Sequence, residues 1–398
     1  MADVEAFRVE VVHGSNTGVP MSQSILLGNG WHPPLFRSEI NALFGELKIL
    51  HPRIVLLDQP IDETFLTRVS RAALVDDVIN FGGFSYRSDF DSITDEISNW
   101  CKKNLPSGSF AVRSKKLGSG VESISRRDLE KEVGARLFSE NNPVNLHEPD
   151  FEIIIILAGE VEGEVHRDFF DFDSCIVWGI RDNNWEKTNY LGRQPMERPF
   201  FKPISLEPRL AKLLISLAHT KDDVPVNFID PFCGTGGIAI EALLQGMNIF
   251  VSDLDPTMVY GVKKNLSWAN NGDENIIEVE KCSVKEIFNL WGTKENCIFV
   301  FDPPYGRNAW KSDDGLELFL SALDEALKID SNSIVSTMLP AGSESLENDP
   351  NVDYIVMGRP WSEIENEINN RGWSVHLRSP VKVHKSLARM VVVCHPLH

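Results

Sequence analysis

Asp302-Pro303-Pro304-Tyr305 stands directly after the apolar run 298–301. Its residue types suit one task, the holding of a planar NH2 group. The two prolines restrict the backbone so that the Pro303 carbonyl projects beside the Asp302 carboxylate. Carboxylate and carbonyl are two acceptors. An amine held between them has its lone pair aimed, and the positive charge that grows on the nitrogen as it gains a substituent is stabilised where it forms. Tyr305 adds an aromatic face on which a base can stack. Asp302, Pro303, Pro304 and Tyr305 are therefore the candidate catalytic residues. A chance turn of the same composition is the alternative, and the position at a strand end argues against it.

A second motif, Asp230-Pro231-Phe232-Cys233-Gly234-Thr235-Gly236-Gly237, follows the apolar strand 226–230 and opens a helix. Glycines in that place let backbone approach a nucleoside cofactor closely. No Lys follows them, which excludes a P-loop, and the third glycine of the dinucleotide fingerprint is missing. An acid ahead of the glycines suits instead a cofactor with a cationic amino-acid tail, and S-adenosyl-L-methionine (SAM) is such a molecule. The next strand ends at Ser252-Asp253-Leu254-Asp255. A carboxylate there can accept both ribose hydroxyls. Asp253 is the better candidate, because Asp255 precedes Pro256 and can cap the following helix. The alternative for Asp253 is a plain solvated loop acid. Asp230, Pro231, Cys233, Gly234, Gly236, Asp253 and Leu254 form the candidate cofactor cradle.

These motifs need strands that end together and helices that start beside them. From residue 200 onward the pattern alternates accordingly. A helix follows 200–208, with Ser205 as a possible cap and Pro208 in its first turn. Strands are expected at 226–230, 248–252, 275–280, 297–301 and 333–339, with helices at 238–245, 257–268 and 316–327. The stretches 373–383 and 388–395 read as an antiparallel hairpin. This is a doubly wound α/β pattern. The first half alternates as well: a strand at 25–27, helices at 37–44, 65–79, 92–103 and 128–138, a short strand at 109–113 and a buried strand before residue 158. Residues 182–199 are polar and loop-like.

The chain has 398 residues, 42% of them hydrophobic and 24% charged, as in an ordinary globular protein of two or three domains. No run reaches the roughly 20 apolar residues of a membrane helix. The N-terminus lacks a basic region followed by an apolar one, so the cytoplasm is the default location. Six scattered cysteines with no CxxC pair indicate neither a disulfide framework nor a zinc site. The net charge of −19 argues against coating nucleic acid by charge alone. Locally the balance reverses: between Lys102 and Arg136, nine basic residues face four acids. That stretch is either a solvated face or a phosphate-contacting surface, and composition leaves both open.

The C-terminal half resembles class I SAM-dependent amino-methyltransferases. The whole chain is similar to the THUMP-containing tRNA (guanine(10)-N2)-methyltransferase family of archaea and eukaryotes. The resemblance rests on DPFCGTGGIAIEALLQG (230–246), SDLDP (252–256), FDPPYG (301–306), FFKPISLEPRLAKLL (200–214) and VHKSLARMVVV (383–393). To these are added the THUMP-like FAVRSKK (110–116) and LEKEVGARL (129–137). It implies a Rossmann-like methyltransferase domain with a mixed seven-stranded sheet at 200–398, a THUMP RNA-binding domain at 91–166, a ferredoxin-like α+β region at 1–90 and a linker at 167–199.

It further implies that Asp230, Gly234 and Gly236 line SAM with Asp253 on its ribose. Asp302, Pro303 and Tyr305 would hold guanine, with no metal required. The THUMP half would grip the tRNA, which favours Lys102, Lys103, Arg113, Lys115, Lys116, Arg126 and Arg127 as RNA contacts. Arg307, Asn308 and Trp310 are candidates to touch the extruded nucleotide, and His384, Lys385 and Ser386 to face the pocket. A small zinc-binding activator subunit is a partner known among such relatives. One position departs from the family pattern: Ser283 stands where an Asp usually receives the adenine amine, and a hydroxyl accepts more weakly than a carboxylate. Backbone alone can also hold the adenine. The other readings are an amino-methyltransferase acting on another RNA guanine or on adenine N6 of DNA, and a non-catalytic RNA-binding relative.

Overall fold

In chain order the first half forms β1 (Glu10–Val11), β2 (Asn16–Thr17), β3 (Ser24–Gly28), α1 (Pro33–Phe44), β4 (Lys48–His51), β5 (Ile54–Leu57) and α2 (Glu63–Val69). It continues with β6 (Val75–Ser85), α3 (Phe90–Asn104), β7 (Phe110–Leu117), α4 (Arg126–Leu137), β8 (Phe151–Ala158) and β9 (Cys175–Arg181). The computed structural model describes residues 10–11, 16–17, 22–86, 89–160, 173–203, 205–220, 224–270, 272, 274–304, 314–347, 349, 352–384 and 387–397. Asp62, Asp89 and Ser125 cap α2, α3 and α4 by accepting from backbone N–H groups three residues on. Such caps contribute about 1 kcal/mol each.

The nine strands build one sheet in the order β1-β4-β5-β3-β6-β9-β8-β7, with β2 also on β6. Three sequence expectations change here. The helix expected at 65–79 stops at Val69, and Val75 opens β6, which is paired on both sides to β3 and β9. The start of β6 carries its apolar residues at Val75, Val78 and Ile79, a spacing that also suits one face of a helix. The linker expected at 167–199 contains β9, a central strand between β6 and β8, buried from Cys175 to Ile180. A boundary at 90/91 does not separate two bodies either, because the sheet runs continuously from β6 to β9 and β8.

The second half forms α5 (Pro208–Leu217), β10 (Asn227–Asp230), α6 (Gly237–Leu243), β11 (Asn248–Asp253), α7 (Pro256–Ala269), β12 (Ile277–Lys281), α8 (Ile287–Trp291), β13 (Cys297–Phe301) and α9 (Asp314–Ile329). Then come β14 (Ile334–Ala341), β15 (Ile355–Val356), β16 (Arg359–Pro360), α10 (Trp361–Asn370), β17 (Trp373–His384) and β18 (Leu387–Pro396). Strands β12-β11-β10-β13-β14 are parallel. Strand β18 lies antiparallel on β14, and β17 antiparallel on β18. That is the expected mixed seven-stranded sheet, with the two-residue β15 and β16 as a side ladder. Glu207, not Ser205, is the N-cap of α5, and Pro208 is its first residue.

One apolar core crosses between the halves. It joins Phe36, Ile40 and Leu43 of α1 to Leu210, Leu213 and Leu214 of α5 and on to Phe228 and Val251 of the second sheet. A second core, with Phe299, Phe319 and Trp373, fills the opposite face of that sheet. Polar contacts follow the same seam: His32 Nε2 meets the Pro380 carbonyl at 2.9 Å, and Lys212 Nζ donates to the Ser70 carbonyl at 2.7 Å. No helix among the described residues is long and apolar enough to cross a membrane.

Candidate active site

In the second sheet the strand order reverses direction between β10 and β13, and open parallel sheets bind ligands in the crevice beyond the carboxyl ends at such a point. A cavity of about 310 Å³ lies there, at the lower end of the roughly 300–1,000 Å³ usual for small-molecule sites. Three neighbouring strands each deliver an acid to it: Asp230 ends β10, Asp253 ends β11 and Asp302 follows β13.

Asp230 is buried and its Oδ1 accepts the Phe232 N–H at 2.9 Å. Burial first, then the nearby Asp253 and Asp302, holds its carboxyl well above the usual range. Asp253 has a structural duty as well. Its Oδ2 accepts the Gly234 N–H at 2.9 Å and its Oδ1 the Asp255 N–H at 2.9 Å. A carboxylate has about four acceptor sites, so these two bonds leave capacity for ribose hydroxyls. Asp255 caps α7 through the Thr257 N–H, the role open to it from sequence. Gly234 takes φ +50°, and a Cβ built there would touch nothing closer than 3.9 Å. The backbone of this turn thus lies bare to the cavity, as a cofactor cradle requires.

Asp302 sits beside Arg389 of β18, whose Nη1 donates to Asp302 Oδ1. Burial raises the Asp302 carboxyl to about 6 despite the opposing pull of that guanidinium. Pro303 is buried and Pro304 exposed, and both line the cavity. Leu254, Met258, Val284 and Leu318 supply apolar wall.

The structure therefore brings Asp230, Pro231, Cys233, Gly234, Asp253, Leu254, Asp302, Pro303 and Pro304 into one cavity. Gly236 is not on the wall. It is the left-handed N-cap of α6 at φ +79°, where a Cβ would strike Val262 at 2.4 Å. Ser283 is also off the wall: its hydroxyl accepts the Lys285 N–H at 3.4 Å, and the next residue, Val284, faces the cavity instead. Tyr305, Arg307, Asn308, Trp310, Lys385 and Ser386 lie outside the described residues, as does the His384 side chain. Of the basic stretch, Lys102, Lys103, Lys116, Arg126 and Arg127 are exposed. Arg113 pairs with Glu152, and Lys115 with Asp77, so these two are engaged within the sheet.

Sequence reasoning missed Arg389 and Asn265. Asn265 is fully buried on α7; its side chain accepts the Phe200 N–H at 2.9 Å and donates to the Phe200 carbonyl at 2.6 Å and the Thr235 carbonyl at 2.8 Å. It ties segment 200–207 to the glycine turn. Its only sequence signal is an amide in the middle of an amphipathic helix.

A parallel sheet with this strand order, a bare glycine turn after β10 and an Asp-Pro-Pro after β13 define an amino-methyltransferase architecture. Comparison with known proteins agrees. An RMKL-like methyltransferase domain matches residues 195–349, and a THUMP domain matches residues 87–161. The tRNA (guanine(10)-N2)-dimethyltransferase of Methanocaldococcus jannaschii is 32% identical over 263 residues, 64% of this chain and 68% of that protein. The enzyme of the same name from Methanothermobacter thermautotrophicus is 29% identical over 326 residues (81% and 83%), and that from Pyrococcus abyssi 28% over 268 residues (67% and 74%). The chain belongs to the tRNA (guanine(10)-N2)-dimethyltransferase family.

Proposed function

We propose that this protein transfers a methyl group from SAM to the exocyclic N2 amine of a guanosine in tRNA, with position 10 as the target. The observation that carries the reading is Asp302-Pro303-Pro304 in one cavity with Asp230, Gly234 and Asp253. The target nucleoside follows the names of the relatives.

The residues present fit SAM. Asp230 and Asp253 offer acceptor oxygens to its ammonium and ribose groups, the Gly234 turn admits backbone contact, and the apolar wall suits an adenine. When bound, SAM supplies a methyl already activated by a positive sulfur, so the protein need only position and stabilise, and no metal is required. Asp253 takes the ribose hydroxyls while holding the Gly234 turn. Leu254, Met258, Val284 and Leu318 keep water out. Asp302 accepts an N–H of the guanine amine, which aims the lone pair and stabilises the charge that grows on nitrogen. The amine becomes acidic only once methylated, and its proton then passes to Asp302 or to water. A base in a folded stem reaches this recessed cavity only when flipped out. The exposed Lys102, Lys103, Lys116, Arg126 and Arg127 would contact tRNA phosphates.

The test is incubation with labelled SAM and unmodified tRNA transcript, followed by nucleoside identification, beside an Asp302→Ala variant. N2-methylguanosine at position 10, lost in the variant, is the expected result. A different methylated nucleoside, or preferred labelling of duplex DNA, overturns the target. If nothing is labelled, the assay is repeated with a small zinc-binding activator subunit of the kind such relatives use; continued inactivity despite SAM binding points to a non-catalytic relative.

A further inference from the structure

Arg389 touches neither the methyl nor the amine in the proposed reaction, yet it occupies a telling place. It is the single charged residue in the run 387–394, where Ala388 and Met390 through Cys394 are buried. Its register partner on β14 is Pro340, so its side chain passes β14 to reach the end of β13. Among the described residues lining the cavity it is the sole cation, against the carboxylates Asp230, Asp253, Asp255 and Asp302. It gives its Nη1 to one oxygen of Asp302. A guanidinium that is four-fifths buried is costly unless paired, and this pair meets that cost at the residue that would hold the amine.

We propose that Arg389 is a positioning residue for methyl transfer: its guanidinium fixes Oδ1 of Asp302 and leaves Oδ2 to accept the hydrogen of the target amine. The inference rests on the proposed methylation of an amine at Asp302. A guanidinium N–H makes a directed bond to Oδ1, which the freely rotating point charge of a lysine ammonium does not reproduce. The pair also bears on ionisation. Among the described residues the charged group acting on Asp302 is Arg389 from β18, while Asp302 in turn acts on Asp230 from β10; Asp253 and Asp255 line the same cavity. Burial raises the Asp302 carboxyl, Arg389 pulls it down, and the balance stands at about 6. Without Arg389 the carboxyl would stay protonated further into the neutral range, where it accepts poorly.

The experiment compares wild type with Arg389→Met and Arg389→Lys. SAM affinity is measured by calorimetry, single-turnover methylation of tRNA from pH 5 to 9, and the Asp302 carboxyl titration by 13C NMR of cofactor-free protein with Asp302→Asn as the assignment control. In Arg389→Met we expect SAM affinity within threefold of wild type. The transfer rate at pH 7 should fall roughly 10- to 100-fold, and both the rate inflection and the carboxyl titration should move up by about one pH unit. Arg389→Lys should restore the titration more fully than the rate. An active wild type with an unmoved inflection in Arg389→Met, or a loss lying wholly in SAM affinity, overturns the proposal. A wild type that labels no tRNA, with the carboxyl titration still shifted in Arg389→Met, sinks the functional reading and leaves the ion pair standing. Arg389→Lys, which keeps the charge, decides the matter if Arg389→Met fails to fold.

Discussion

Asp302 carries a conflict between stability and chemistry. Its carboxyl is raised to about 6 from an ordinary value near 4, with burial as the main cause. A raised carboxyl means that the native state binds the proton more tightly than the unfolded chain does. The group's contribution to stability is therefore full below about pH 4 and is lost as pH rises through 6. Under the proposed role of Asp302 activity would run the other way, because only the ionised form accepts the amine fully. The rate of single-turnover methylation should climb with pH up to an inflection near 6 and then level off. A profile flat from pH 5 to 8 would mean that Asp302 is not the acceptor. The Asp302→Asn variant should keep SAM affinity and lose about 100-fold or more in rate, the order measured for removal of one preorganised polar contact in other enzymes. The place of Asp302 in the cavity was legible in sequence, because an Asp-Pro-Pro directly after an apolar strand puts the acid at the carboxyl end of the sheet. Arg389 was not: it stands 87 residues from its partner, and an isolated arginine in an apolar strand gives no spacing to read.

The elements around the cavity are held by close backbone approaches. Gly261 on α7 faces the Phe200 ring, and a Cβ there would fall 2.1 Å from a ring carbon. One turn further along α7, Asn265 holds Phe200 by both its N–H and its carbonyl. Segment 200–207 then continues to Ser205 and Leu206 on the cavity wall, and Ser205 Oγ shares a 2.9 Å hydrogen bond with Thr235 Oγ1. A Gly261→Ala substitution should displace the ring, cost about 1–3 kcal/mol of stability and weaken SAM binding severalfold. Thermal melting and calorimetry on the same preparation would check this; unchanged SAM affinity would show that the segment does not shape the cofactor site. At this scale the second half was largely legible, since each of β10, β11 and β13 is a short apolar run that ends in an acid. The first half was less so. Val75, Val78 and Ile79 fall at the i, i+3, i+4 spacing of a helix although they belong to a strand, and β9 lay inside an apparent linker. Pairing with β3 and β9 is what makes β6 a strand, and such long-range pairing leaves no mark in local spacing; the apolar run 175–180 of β9, by contrast, was a strand signal that the linker expectation passed over.

At the scale of the whole molecule, an enzyme that grips RNA with one half and modifies it with the other needs the two halves fixed in register. The shared core of α1 and α5 provides the area, and a few buried polar contacts supply direction. In His32 the Nδ1 accepts the Leu35 N–H at 3.2 Å, so Nε2 carries the proton and donates to the Pro380 carbonyl of β17. Lys212 of α5 donates to the Ser70 carbonyl at 2.7 Å and to Thr188 Oγ1, and Ser216 donates to the Arg71 carbonyl at 3.0 Å. If this seam makes one cooperative unit, a ligand that binds only the second half must stabilise both. Saturating SAM should then slow hydrogen exchange in peptides from β8 and β9 as well as in those from β10 and β11. A His32→Ala, Lys212→Met double variant should lose about 2–4 kcal/mol. In it the SAM effect should stay in β10 and β11 and vanish from β8 and β9, with methylation of tRNA falling while SAM affinity holds. Wild-type β8 and β9 peptides that ignore SAM altogether would show that the halves unfold independently, and the register between grip and chemistry would then have to come from the bound tRNA.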